Sequence, residues 1–140
     1  MKRSFLYIVI LMMLELVATA QGDGNNLTVV MENFKSNDGQ VMVGLYDAQG
    51  KWLKDNFKGE MATIENQKAI CVFKNVPVGE YAVSIIHDEN ANNKLDIGHF
   101  GIPKEPYASS MGAKGSFGPP KWEDAKFTID GSDKEITLKF

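Results

Sequence analysis

The C-terminal end of the chain constrains the fold most. Ala125, Phe127 and Ile129 alternate with Lys126, Thr128 and Asp130; after Gly131-Ser132-Asp133, Ile136, Leu138 and Phe140 alternate with Glu135, Thr137 and Lys139. A period of two with one apolar face marks half-buried antiparallel strands. Strand-like stretches recur upstream at 27–34, 40–46, 61–65, 69–74 and 80–87. Asn37-Asp38-Gly39 separates the first two and reads as the turn of a β-hairpin. Asn75-Val76-Pro77-Val78-Gly79 punctuates the chain before the fifth. No helical periodicity longer than about two turns is present beyond the first twenty residues. Seven short strands with turn signals between them predict an all-β fold, a single antiparallel β-sandwich of immunoglobulin-like or transthyretin-like type. A small closed barrel is the alternative.

The first twenty residues belong to a different kind of segment. Lys2 and Arg3 precede an unbroken apolar run at 5–14, and Ala18-Thr19-Ala20 supplies a small-x-small cleavage pattern. This is a secretory signal peptide, cut after Ala20. The run 5–17 contains Glu15 and is shorter than the roughly 20 apolar residues of a spanning helix. The expected product is exported, periplasmic or extracellular, with no transmembrane segment after cleavage. No cysteine follows the run to carry a lipid. Loss of Lys2, Arg3 and Glu15 takes the net charge from −3 to −4, which gives no basic footprint for nucleic acid. Residues 21–26 are polar and read as a loose N-terminus, and the domain is expected over 27–140. The one cysteine and two histidines exclude a disulfide framework and multi-cysteine metal sites. Cys71 lies in an apolar run and reads as a buried small hydrophobe.

Residues 88–124 break the strand rhythm with five glycines and four prolines. So long a connection is usually functional or disordered, and its hydrophobics (Leu95, Ile97, Phe100, Ile102, Tyr107, Met111, Phe117 and Trp122) point to an ordered loop packed over the sandwich. Lys121 to Ala125 reads as a short helical turn. Trp52, Tyr107, Phe117 and Trp122 all fall in connections, where anchoring in the core competes with forming a sugar or peptide platform.

The loop opens on a chemical pattern. Asp88, Asn90, Asn92 and Asp96 occupy positions 1, 3, 5 and 9 of a calcium-loop spacing, with Lys94 at position 7 offering its backbone carbonyl. Alternate oxygen side chains suit a chain wrapped round a hard cation, so calcium is the one cofactor the sequence suggests. Position 6 is Asn93 where glycine is usual, and Asn tolerates positive φ. Position 12 is His99 where a bidentate Glu is usual; Glu89 and Glu105 are the candidate substitutes. The competing reading is a run of Asx turns closed by the side chains themselves.

The ordered string His87-Asp88-x-Asn90-x-Asn92-x-x-Leu95-Asp96, Gly101-Ile102-Pro103-x-Glu105-x-Tyr107-x-x-Ser110, Gly118-Pro119-Pro120 and Ala125-x-Phe127 resembles the bacterial secreted family catalogued as domain of unknown function 2141. Val76-Pro77-x-Gly79-x-Tyr81 also resembles that family, and is similar to turns in carboxypeptidase-regulatory-like and transthyretin-like sandwiches. The resemblance covers residues 27–140. It implies a small exported β-sandwich of the bacterial envelope and brings no activity, ligand or catalytic residue. Ala108 stands where the family pattern leads one to expect glycine.

An enzyme would draw on His87, Asp88, Asp96, His99, Ser109 and Ser110, with Asp88 and Glu105 or Glu123 as a carboxylate pair. No Gly-x-Ser-x-Gly and no nucleophile–base motif accompanies them. The sequence therefore predicts a non-catalytic binding or accessory module, its recognition surface in the long loop, and its partner an envelope protein, a glycan or a small ligand. The alternatives are a small secreted hydrolase using acids of the 88–124 loop, and a structural domain assembling through sheet edges.

Overall fold

The computed structural model describes residues 24–140; the signal peptide assigned to 1–20 lies outside them. Eight strands form two sheets. β1 (Asn25–Glu32) sits at the centre of a three-stranded sheet between β4 (Ala69–Val76), antiparallel, and β8 (Lys134–Lys139), parallel. The other sheet runs β3 (Lys58–Ala62), β2 (Gln40–Tyr46), β5 (Gly79–Asp88) and β6 (Tyr107–Ser109), all antiparallel. β7 (Phe127–Ile129) joins the same edge of β5 as β6 but at its opposite end, on Gly79–Tyr81.

The core lies between the sheets. Alternate residues of β1 (Leu27, Val29, Met31) and β4 (Ala69, Cys71, Phe73), with Leu138 of β8, face Val41, Val43 and Leu45 of β2 and Val83 and Ile85 of β5. β1, β2 and β4 each spend one face on this core, which is why the period of two is visible in the sequence, whereas β3 buries no residue and lies at Lys58–Ala62, upstream of the expected 61–65.

The pairing differs from the sequence-based expectation in three ways. β1 and β2 do not form a hairpin: they stand in opposite sheets, and residues 33–39 cross between them. The last two strands also part company, β7 to β5 and β8 to β1, and the β1–β8 pairing is parallel. The long loop contributes an eighth strand, β6, which the expected seven omitted because three residues carry too little periodicity to read. At the N-terminus, Asn25 and Asn26 are already strand rather than loose, and the Asn26 amide donates to Asp133 Oδ1 at 2.8 Å. The predicted helical turn is present as α1, Trp122–Ala125.

Gly39 shows what the Asn37-Asp38-Gly39 corner is for. Its φ is +67°, and a Cβ there would collide with the Asp88 carbonyl oxygen. The corner is pressed against the start of the long loop, so it buttresses that loop instead of closing a hairpin.

Candidate functional site

β5 delivers His87 and Asp88 to the end of the sandwich, both buried. From there the chain turns back on the Asp88 carboxylate. Oδ1 accepts the Asn92 amide at 3.2 Å, and Oδ2 accepts the Asn93 amide at 2.9 Å and Gln40 Nε2 at 2.9 Å. Two Asx turns continue the winding: Asn90 Oδ1 accepts the Asn92 amide and Asn92 Oδ1 accepts the Lys94 amide. The Nδ2 groups of Asn90 and Asn92 both donate to the Asp96 carboxylate, at 2.7 and 2.8 Å. Those amides, Asn92 first, hold the Asp96 carboxyl below the ordinary range, with Glu105 and Lys104 adding to the effect. Asn93 takes φ +62°, the left-handed conformation expected of position 6.

Glu105, buried, ties the far side. Its Oε1 accepts the Glu89 amide and its Oε2 the Asp96 amide, each at 3.2 Å. The backbone adds His87 N to Pro106 O at 2.9 Å and Lys104 N to Asp96 O at 2.8 Å. The first part of the loop, 88–106, is thus closed by hydrogen bonds to carboxylates and Asx side chains.

The last part, 110–125, is held differently. Ser110 Oγ accepts the Val83 amide at 2.9 Å and donates to the Ala125 carbonyl at 2.6 Å. Trp52 and Trp122 pack with Ala82 and Ala125 on the outer face of β5, and Trp52 Nε1 donates to the Pro120 carbonyl at 2.7 Å. Tyr46 meets Trp52 edge-on at 5.0 Å between ring centroids. A Cβ at Gly44 would lie 3.0 Å from the Tyr46 ring, so glycine there lets the tyrosine lie flat along the sheet.

Over the outer sheet face, residues 100–103 of the first part and 115–120 of the last enclose a cleft of about 490 Å³. Its floor is the outer sheet face at Tyr46, Ser84 and Ile86; Leu53, Pro119 and Pro120 form one wall, and Ile102 and Pro103 the other. Phe100 and Phe117 stand at its rim almost fully exposed, at 99% and 106%. Rigid apolar concavities with few polar points are the usual form of ligand sites. The aromatics therefore divide: Trp52 and Trp122 are anchors, whereas Tyr107 and Phe117 are exposed.

Asp88, Asn90, Asn92, Lys94 and Asp96 are brought into one turn. Asp88, Asn90, Asn92 and Asp96 are joined through side chains, Lys94 through its backbone amide. Among the described residues, no group of three or more His, Cys, Asp or Glu side chains converges in the manner of a metal centre. The oxygen donors of this turn are mixed carboxylate, amide and carbonyl, the set a hard cation takes. Gln40 was not foreseen; it lies far upstream and reaches the turn only through the β2–β5 pairing.

Of the residues an enzyme would draw on, Asp88, Asp96 and Glu105 meet in the turn, and the histidines, serines and Glu123 do not join them as a catalytic set. The His87 ring sits in the core against Phe34 and Phe140, with Nε2 2.7 Å from the Asp38 carbonyl oxygen. Ser110 spends its hydroxyl on two backbone groups, Glu123 pairs with Lys126 at 2.9 Å on the surface, and His99 is exposed. Burial, with Glu60 adding to it, pushes the Cys71 thiol up to about 11, so it stays protonated at neutral pH and is a packing group.

No curated protein matches the chain. Among solved structures, it is similar to a pilus-presented adhesin (Spy0125, Cpa; a cysteine-to-alanine mutant) at 12% identity and a TM-score of 0.27, over 83% of this chain and 26% of that one. The chain therefore spans about a quarter of that adhesin's length. The model of a family described as uncharacterised protein conserved in bacteria matches residues 29–137, from within β1 to within β8, and takes in every residue of both loop anchors. By that match the chain belongs to this bacterial family, domain of unknown function 2141.

Proposed function

We propose that this protein is an exported, non-catalytic binding module of the bacterial envelope. Its ligand site is the cleft between the five-stranded sheet and the long loop, and a calcium ion holds the entry of that loop. The cleft carries the reading. There a sheet face, a long connection anchored at both ends and the exposed aromatics Phe100 and Phe117 meet. The commitment of Ser110 to two backbone groups and the burial of the His87 ring among Phe34 and Phe140, apart from the acids, support a non-catalytic role.

The spacing 1, 3, 5 and 9, the left-handed Asn93 and the Lys94 carbonyl at position 7 support the calcium part. Glu105 brings a carboxylate to the turn where His99, at position 12, offers none, and its oxygens keep acceptor capacity beyond the two amides they bind. A turn already closed by its own hydrogen bonds needs the ion only for reinforcement, so affinity falls in the weak range of extracellular modules, roughly 10⁻⁴ to 10⁻³ M.

Thermal unfolding in EDTA and then in calcium or magnesium tests this. At a hundredfold excess over Kd, calcium adds about 2.7 kcal/mol, on the order of 10 °C in midpoint for a domain of this size. The Asp88→Ala/Asp96→Ala variant loses the shift. No shift in 10 mM calcium overturns the ion and leaves the turn purely self-bonded. A hydrolase would instead show turnover that Asp88→Ala abolishes while the fold survives.

A further inference from the structure

We propose that the cleft binds a short neutral oligosaccharide laid across the strands of the five-stranded sheet; this rests on the cleft being the ligand site. The strand register builds the floor. Gly59, Gly44, Ser84 and Ser109 stand side by side on β3, β2, β5 and β6. Ser84 is on the outer face, since its neighbours Val83 and Ile85 are core residues, and cross-strand partners share a face. The row is thus a trough of small residues running across the sheet, with Tyr46 and Ile86 in the rows on either side. The cleft shares Tyr46, Ser84 and Ile86 with a more open hollow of about 550 Å³ that continues over Gly44 and Gly59. From β3 to β6 the sheet spans roughly 14 Å, longer than one sugar ring and matched by a short chain of them.

The lining sets the chemistry. The cleft contains no charged side chain, so an ionic ligand would leave water with no opposite charge to meet it. In the adjoining hollow only Glu60 is charged, and it stands in the core-facing row with Val43. Five lining residues carry hydroxyls: Tyr46, Ser84, Tyr107, Ser109 and Ser116. A hydrocarbon ligand would cover these groups without bonding them, which is costly. Ser109 is only 4% exposed, yet among the described residues its hydroxyl bonds no protein group, whereas those of Tyr81 and Ser110 end on the backbone. Each hydroxyl both donates and accepts, as sugar hydroxyls do. Pyranose rings also present flat C–H faces, and Phe100 and Phe117 hold exposed aromatic faces at the rim to receive them. Phe100 takes φ +62°, a strained conformation for an aromatic residue, and displays its ring instead of burying it. A proline-rich peptide would stack on the same rim, but it brings carbonyl acceptors and few donors, leaving the accepting half of each hydroxyl unused.

The test titrates isotope-labelled protein with cellohexaose, maltohexaose, mannohexaose and chitohexaose, all neutral, and with hexagalacturonate and decaproline as contrasts. The Ser84 and Ser109 amide resonances report the trough, and Trp52 emission reports Tyr46, which its ring meets edge-on. We expect at least one neutral hexasaccharide to move both amides together and to bind more tightly than its own disaccharide. Phe100→Ala/Phe117→Ala weakens that binding about tenfold; both rings are exposed, so the fold stands. Ser84→Ala weakens it about fivefold. Hexagalacturonate binding as tightly as the neutral chains overturns the neutral ligand. Affinity undiminished in the double phenylalanine variant puts the sugar elsewhere and overturns the proposal. If decaproline moves the two amides and no hexasaccharide does so at millimolar concentration, the saccharide is overturned while the cleft reading stands. If no probe moves them, both fall.

Discussion

The two ends of the long loop solve the same problem with opposite chemistry. At 88–106 the chain is fastened by carboxylates and Asx side chains that accept backbone amides at 2.9–3.2 Å. At 110–125 it is fastened by two tryptophans and a buried serine. The polar end rests on carboxylates, whose charge depends on protonation; the apolar end rests on buried area, which does not. A cleft with one wall of each kind has one side that solution conditions can loosen and another that only core damage can move.

The largest expected effect is at the apolar end. Trp122→Ala removes a buried indole from the cluster with Trp52, Ala82 and Ala125. Such truncations cost about 3–5 kcal/mol, read as a fall in the denaturant midpoint. The entry half should keep its amide protection in this variant. Parallel loss at Asn92 and Asn93 would show the two ends to be one cooperative unit.

Gly39→Ala attacks the polar end from outside the loop. It combines a positive φ with a Cβ that meets the Asp88 backbone. The strain is expected to cost about 2–3 kcal/mol and to open the Asp88 turn first, with exchange of the Asn92 and Asn93 amides rising before global unfolding. Full native protection in this variant would mean that the corner does not buttress the loop.

Glu105→Gln is milder. It keeps one acceptor oxygen and loses the other, leaving the Glu89 or the Asp96 amide without its partner. About 1–2 kcal/mol of local stability goes with it. The two anchors share no partner, so Glu105→Gln and Trp122→Ala together should add to within about 0.5 kcal/mol. A larger coupling energy would erase the distinction between the ends.

How much of this was legible in the sequence follows from where each signal resides. Most strands were readable because they have one buried face; β3, which buries no residue, was read three residues too late. The pairings were not: residues 33–39 carry the turn residues of a hairpin, yet they cross between sheets, and what decides this is Gly39 against Asp88, nearly fifty positions away. The Asp/Asn turn was readable because its donors sit two residues apart along the chain. Gln40 was not, because only the β2–β5 register places it there. The cleft was the least legible part. Trp52, Tyr107, Phe117 and Trp122 look alike in sequence context, and only the folding of the loop over β5 decides that two are buried and two exposed.

The smallest expected effect separates the two ends most sharply, because it requires no large perturbation. The Asn92 and Asn90 amides hold the Asp96 carboxyl below its ordinary value, about 3.9 for an exposed aspartate. A carboxyl whose pKa is depressed on folding contributes stability that is present above its unfolded value. That contribution is lost as pH falls through the folded value. Neutralising Asp96 removes the charge that orders both asparagine side chains, so acid should loosen the entry half while Trp52 and Trp122 stay packed. In an NMR titration downward from pH 5, the Asn90 and Asn92 side-chain amide resonances should move together. The Trp52 indole proton, bonded to Pro120, should hold its position over the same range. Asp96→Asn should abolish that step without moving the indole. If the indole shifts with the same midpoint as the asparagines, the two walls of the cleft are coupled, and acid would change its shape as a whole instead of releasing one side.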